Sequence, residues 1–145
     1  MTVVASFDTT FEALTGYCPF AWQSRLHHDH FAKGVLPSAV DVPTGLGKTS
    51  IIAIWLIARA NGANLPRRLV YVVDRRAVVD QATDEAEKLR RALEGTAVHL
   101  QQLNGSVRAQ QIEIAAALKE PLGLGTSKQL PISTLRGAHV DNREW

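Results

Sequence analysis

Hydrophobic residues along the chain fall into short continuous runs and into longer stripes with helical spacing. Short runs at 38–41 and 97–101 predict strands, and Leu69–Val73 has the unbroken apolar character of a parallel strand covered on both faces. The stretch 51–58 is long and apolar enough for a buried helix. A stripe through Val78, Ala82, Ala86, Leu89 and Leu93 predicts an amphipathic helix that Gly95 ends.

Shorter elements complete the predicted order. A short helix at 10–14 ends at Gly16, a second begins at Pro19, and a third covers 106–119. A further strand is predicted at 130–135, with its proline near the start, where strands tolerate one. Residues 1–18 are weakly patterned, so we expect a lead-in at 1–18 and one domain at 19–145.

Composition restricts the function classes only a little. The 145 residues carry a net charge of +2, which is too small to indicate nucleic-acid binding by itself. Arginine doublets at 67–68, 75–76 and 90–91 can bind phosphates or simply solvate a surface. The single cysteine, Cys18, excludes an internal disulfide and suits a reducing compartment. With no signal peptide and no apolar run of membrane-spanning length, we expect a cytoplasmic protein without membrane contact.

A glycine-bearing loop between the strand at 38–41 and the helix at 51–58 carries the clearest chemistry. Gly45 and Gly47 let successive backbone N–H groups point at an anion, and the following helix adds its free N–H groups. Lys48 would contact the outer phosphates of a nucleotide, and the Thr49 hydroxyl would bind Mg²⁺. Val42 replaces the glycine of the full pattern, which disfavours a small kinase. The residues assigned to nucleotide binding are Pro43, Thr44, Gly45, Leu46, Gly47, Lys48, Thr49 and Ser50.

An aromatic residue and a glutamine stand 25 residues ahead of that lysine. The Gln23 amide offers both a donor and an acceptor, which the N6 and N7 edge of adenine requires. Gln23 would therefore select ATP over GTP, and Phe20 would pack near the base. The alternative is an amphipathic helix whose glutamine faces solvent.

Two other clusters resemble catalytic motifs less well. His27, His28, Asp29 and His30 suggest a metal site, but only His27 and His30 could share a helix face, so a polar helix surface is the better interpretation. Asp84-Glu85-Ala86-Glu87 resembles a magnesium-and-water motif, yet it lies inside a predicted helix rather than after a hydrophobic strand. We interpret it as a solvated face with possible Asp84–Lys88 and Glu87–Arg91 ion pairs.

Four segments in order resemble the amino-terminal RecA-like domain of superfamily-two helicases. They are Phe20…Gln23, Pro43–Thr49, Asp74-Arg75-Arg76 followed by Asp80-Gln81, and Ser133-Thr134-Leu135-Arg136-Gly137. The residues of these segments are most similar to those of the CRISPR-associated type I helicase–nuclease, in the subtype with its helicase at the amino end. The phosphate loop is specific for the superfamily, and the Asp-Arg-Arg and Thr-Leu-Arg-Gly segments indicate the narrower family.

The resemblance implies an α/β fold of the P-loop NTPase kind, a parallel sheet with helices on both faces, incomplete at its carboxyl end. It implies ATP and Mg²⁺ as cofactors, movement along single-stranded DNA, a separate nuclease domain, recruitment by a CRISPR effector complex and a role in antiviral defence. It also assigns DNA-backbone contacts to Arg75, Arg76, Thr134, Arg136 and Gly137.

Much of that family's catalytic pattern is missing from the 145 residues. No hydrophobic strand ending in Asp-Glu-x-His follows Gly137, and neither a second RecA-like domain nor a nuclease domain is present. We therefore expect an amino-terminal piece that binds ATP and hardly hydrolyses it. Two alternatives stay open: a small phosphate-loop kinase or other NTPase, and a non-catalytic interaction module that keeps the fold.

Overall fold

The computed structural model describes residues 6–40, 48–73, 75–125, 128–136 and 139–141. The α-helices of this part are α1 (Phe7–Thr15), α2 (Ala21–Asp29), α3 (Ile51–Ala60), α4 (Arg76–Leu93), α5 (Val98–Gln101) and α6 (Gly105–Ala116). Short 3₁₀ turns cover Phe31–Lys33 and Lys48–Ser50, and two strands, β1 (Thr134–Arg136) and β2 (His139–Asp141), pair with each other.

Helix α1 shows how local sequence sets an element's ends. The Ser6 hydroxyl accepts a 3.2 Å bond from the Thr9 N–H, which caps the first turn. Gly16 ends the helix at φ 84° and donates its N–H to the Glu12 carbonyl at 2.8 Å. Only glycine adopts this left-handed backbone at no steric cost, so the predicted end at Gly16 is confirmed.

The apolar helix α3 is largely buried, and α1 packs against α3, α4 and α6. Helix α3 also contacts α2, and α4 packs against α6. The largest side chains with almost no exposure are Leu14, Ile54, Leu56, Ile57, Leu93 and Leu100. The prediction of a buried helix after the phosphate loop is therefore confirmed, and so is the long amphipathic helix that ends at Leu93.

The strand predicted at 97–101 is wrong, because Val98–Gln101 forms α5. Ala97 and Leu100 are both buried, and a spacing of three residues places them on one face of a helical turn rather than on opposite faces of a strand. The His99 Nε2 atom also lies 2.8 Å from the Ala13 carbonyl oxygen, which ties this turn to α1. These tertiary contacts outweigh the strand propensity of a five-residue run.

The other predicted strands differ from the observed ones. Residues 69–73 have no strand assignment, and Val70 and Val72 are 55% and 84% exposed, so the predicted cover on both faces is not seen. Residues 38–40 have none either, and residue 41 lies outside the described part. The strand predicted at 130–135 begins at Thr134, and β1 pairs antiparallel with β2, with Leu135 opposite Val140.

None of the described helices has the length and apolar character needed to cross a bilayer.

Candidate nucleotide-binding site

Gln23 connects the amino end of α2 to the turn that follows the phosphate loop. Its Oε1 atom accepts a 2.7 Å bond from the Phe20 N–H, and its Nε2 atom donates a 2.6 Å bond to the Ser50 hydroxyl. The Phe20 carbonyl in turn accepts from the N–H groups of Gln23 and Ser24. Because an N–H must face an oxygen, these bonds fix which end of the amide points to Ser50.

The two residues assigned to adenine recognition differ in exposure. Gln23 is only 3% exposed, whereas Phe20 is 50% exposed at the amino-terminal cap of α2. The alternative of a solvent-facing glutamine is therefore wrong: burial and the bond to Ser50 place this side chain in the interior. Phe20 presents an open aromatic surface beside it, the kind of surface on which a flat base can stack.

The end of the phosphate loop leads directly into α3. Lys48–Ser50 form a 3₁₀ turn, and Thr49 and Ser50 are half-buried immediately before the first residue of α3. The first backbone N–H groups of a helix have no partner within the helix, so this turn lies at a natural anion-binding position. Pro43, Thr44, Gly45, Leu46 and Gly47 lie outside the described residues.

Helix α4 connects this turn to the segments assigned to DNA. Arg75 is its amino-terminal cap, Arg76 is its first residue, and both are exposed. The helix contacts both the Lys48–Ser50 turn and β1. Thr134 and Arg136 belong to β1, while Gly137 lies outside the described residues. One helix therefore brings together the described parts of three of the four predicted segments.

Sequence reasoning missed one residue at this junction. Thr83, in the middle of α4, has its hydroxyl oxygen 3.0 Å from that of Thr134. The two residues are 51 positions apart, and a threonine inside a helix gives no signal of such a contact.

The acidic group at 84–87 lies within α4, as predicted, but its ion pairing differs. Glu87 pairs with Arg90 rather than with Arg91. Lys88 lies over the ring of Tyr17, 5.0 Å from its centroid, rather than beside Asp84. A helical neighbour three residues away is as close as one four residues away, so spacing alone did not decide between them.

The prediction of a polar surface at 27–30 is wrong for His27. This side chain is 5% exposed and stacks on Phe7, with ring centroids 4.2 Å apart. Neither ring nitrogen has a hydrogen-bond partner within the described part of the chain. Burial, with a smaller contribution from the neighbouring His28, lowers the pKa of His27 to about 4, although Asp8 opposes the shift. The imidazole is therefore a neutral packing group.

A metal site built from clustered histidine, cysteine or carboxylate side chains is not found in the part of the chain that the structure describes. No group of three or more histidine, cysteine, aspartate or glutamate side chains is placed there to hold an ion.

Cys18 is exposed and donates a 3.0 Å bond to a Glu12 carboxylate oxygen. That bond and the charge of Glu12 raise the pKa of the Cys18 thiol, which makes it a weaker nucleophile.

The comparison with known families decides the class of protein. The family described as the type III restriction enzyme, res subunit, matches residues 19–129. The chain belongs to this family. The match includes Gln23, the phosphate loop and the whole of α4, so the geometry above lies within a helicase-like, ATP-binding module of the res-subunit family. Comparison with curated proteins and with solved structures gives no match.

Proposed function

We propose that this res-subunit domain is the ATP-binding part of an ATP-dependent helicase or translocase that acts on single-stranded DNA. The observation that carries the proposal is the bond between Gln23 and Ser50, which spans 27 residues and joins the adenine-recognition segment to the phosphate loop. A glutamine that only solvated a helix surface would have no reason to be buried against this turn.

The residues of the site have distinct roles in this proposal. Lys48 would supply a positive charge to the outer phosphates, and the N–H groups at the start of α3 would bind the same anion. The Thr49 hydroxyl would be a ligand for Mg²⁺, and the ion would supply positive charge that offsets the charge of the phosphates. Ser50 holds the Gln23 amide, which would then bind the adenine edge while Phe20 packs on the ring. Half-buried Thr49 and Ser50, in the turn that leads into α3, fit the phosphate and Mg²⁺ end of a nucleotide.

A RecA-like fold is part of the proposal, and the match to the res-subunit family supports it. A Cβ atom at Gly34 would lie 3.1 Å from the Asn64 carbonyl oxygen, so the chain passes close to residue 64 at this point. The Lys48–Ser50 turn and α4 are in contact. In a RecA-like fold, the segments that precede the phosphate loop and α4 would be neighbouring parallel strands.

The narrower resemblance to the CRISPR-associated helicase–nuclease belongs to this proposal as well. Its support is the amino-acid sequence of two segments, Asp74-Arg75-Arg76 and Thr134-Leu135-Arg136-Gly137. In that form of the proposal, a CRISPR effector complex recruits the protein in antiviral defence, and a histidine–aspartate nuclease domain cuts the DNA strand. The test is reconstitution with such a complex: DNA-loaded effector should retain the res-subunit domain, and unloaded effector should not.

Calorimetric titration with ATP and GTP in the presence of Mg²⁺ tests nucleotide binding. We expect the wild-type chain to prefer ATP, Gln23→Ala to abolish the preference, and Lys48→Ala to lose about 1.5–3 kcal/mol of binding free energy. Gln110→Ala is the matched control, because that glutamine is exposed on α6. Equal affinity of the wild type for ATP and GTP would refute the role of Gln23, and unchanged binding by the Lys48 variant would refute the phosphate loop.

A further inference from the structure

A pair of hydroxyl groups joins α4 to β1. Thr83 Oγ1 and Thr134 Oγ1 lie 3.0 Å apart, and both residues are half-buried. Thr134 begins the segment for which DNA contact is proposed, and Thr83 belongs to the helix that starts after Arg75. The bond therefore connects the two segments proposed to contact DNA.

The direction of this bond follows from counting hydrogens. Thr83 Oγ1 donates to the Val79 carbonyl oxygen at 2.9 Å, one helical turn earlier. A threonine hydroxyl has one hydrogen, and Thr83 has used it. Thr134 must therefore be the donor of the bond between the two hydroxyls, and Thr83 the acceptor.

The consequence concerns how β1 can contact a phosphate. Phosphate oxygens only accept hydrogen bonds, and the single hydrogen of the Thr134 hydroxyl points at Thr83. We propose that Thr83 and Thr134 are positioning residues that hold β1 against α4 for DNA binding, and that Thr134 does not itself bind phosphate. This inference rests on the DNA-binding role proposed above.

Helix α4 extends the effect of this bond to the arginines at its amino end. Thr83 lies seven residues after Arg76, which corresponds to about 10 Å along the helix axis. Because a helix is stiff over that length, anchoring β1 at Thr83 fixes its distance from Arg75 and Arg76. The same helix contacts the Lys48–Ser50 turn, so α4 also links the position of β1 to the candidate nucleotide site.

Four variants of the full 145-residue chain test this arrangement: Thr83→Val, Thr134→Val, the double variant and Thr83→Ser. Valine keeps the shape of threonine and removes the hydroxyl, whereas serine keeps the hydroxyl. Thr10→Val is the matched control, because the Thr10 hydroxyl also donates to a carbonyl four residues earlier, at 2.9 Å, and Thr10 lies on α1. It reports the cost of losing that intrahelical bond alone.

The first measurement is hydrogen exchange of the backbone amides in β1 and β2, which needs no DNA. Thr83→Val and Thr134→Val should both speed exchange there by about three- to tenfold, and the double variant should add nothing further. Thr83→Ser and Thr10→Val should exchange like the wild type. Unchanged exchange in Thr83→Val would overturn the positioning role, whatever the DNA result.

The second measurement is fluorescence anisotropy with a labelled oligothymidylate at low salt. Thr83→Val and Thr134→Val should weaken binding equally, by about three- to tenfold, and Thr83→Ser should restore it. A loss in Thr134→Val with wild-type binding in Thr83→Val would show that Thr134 contacts phosphate directly, against the proposal. If the wild-type chain binds no oligonucleotide, the proposed DNA function fails, and the exchange experiment still decides whether Thr83 positions β1.

Discussion

The amide nitrogen of Gln23 lies 2.6 Å from the hydroxyl oxygen of Ser50, and this short bond makes the start of α2 and the end of the phosphate loop one structural unit. A nucleotide that moves the Lys48–Ser50 turn would therefore also move the residue proposed to recognise its base. Phosphate binding and base recognition should be coupled through Ser50.

Replacing Ser50 by alanine should weaken both stability and base selectivity. The change removes one hydrogen-bond acceptor from a buried amide, so we expect a loss of about 0.5–1.5 kcal/mol in the free energy of unfolding, measured with urea. The ratio of ATP to GTP affinity should fall as well, because the amide is less firmly oriented. Ser24→Ala is the control: its exposed hydroxyl bonds to Asp8 at 3.2 Å, and stability should change by less than about 0.5 kcal/mol. Equal losses in both variants would contradict the role of Ser50.

Arginine substitutions should separate the proposed DNA surface from the rest of α4. Arg75→Ala combined with Arg136→Ala should weaken single-stranded DNA binding at low salt, and to the same degree for every sequence, because phosphate contacts carry no sequence information. Arg90→Ala combined with Arg91→Ala should matter much less, since Arg90 already pairs with Glu87 near the far end of the helix. A greater loss in the Arg90/Arg91 variant would place the DNA surface elsewhere.

The buried imidazole of His27 should make stability depend on pH. Its pKa is about 4 in the folded chain and about 6.5 when exposed, so between these values the unfolded chain binds more protons. Stability should therefore be complete above about pH 6.5 and fall as the pH drops towards 4, by about 3 kcal/mol at most. His27→Phe keeps the stacking on Phe7 and should remove this component of the pH profile. His30→Gln should retain it, and a His27→Phe profile that parallels the wild type would contradict the assignment.

Gly16 and Gly62 both have a positive φ angle, so a comparison of the two separates the cost of backbone strain from the cost of a steric clash. Gly16 and Gly62 have φ values of 84° and 90°, where a side chain costs about 1–2 kcal/mol. A Cβ atom at Gly16 would also lie 3.0 Å from the His99 side chain, whereas one at Gly62 meets nothing within 4 Å. Gly16→Ala should therefore destabilise the chain more than Gly62→Ala. Equal shifts in the urea midpoint would mean that His99 moves aside freely.

Local signals predicted the helices well. The glycine after α1, the apolar run of α3 and the stripe of α4 each specify an element without reference to the rest of the chain, and all three are observed. Strands depend on partners that sequence spacing does not show. This explains why Val98–Gln101 became a helical turn against α1 and why 69–73 has no assigned strand.

The residues of the candidate site were proposed from their chemistry and stay a prediction, whereas the contacts between them could not be predicted from the sequence. Phe20, Gln23 and the loop through Ser50 were identified because each supplies chemistry that a nucleotide requires. The contacts of Gln23 with Ser50 and of Thr83 with Thr134 join positions 27 and 51 residues apart, and periodicity carries no information at such separations. His27 was misplaced for a similar reason, because its burial depends on Phe7 from a different helix.

Residues 69–73 also affect how readily the protein aggregates. Their backbone makes no hydrogen bond within the described residues, and Val70 and Val72 are open to solvent. Five strand-forming residues without proline or charge have the composition of segments that stack with identical segments in other molecules. Where no neighbouring strand pairs with this segment, concentrated samples should therefore associate through it while their helix content is still intact. The segment is flanked by Arg67, Arg68 and Arg75, whose positive charges repel the same segment in other molecules. Added salt screens this repulsion and should therefore speed aggregation.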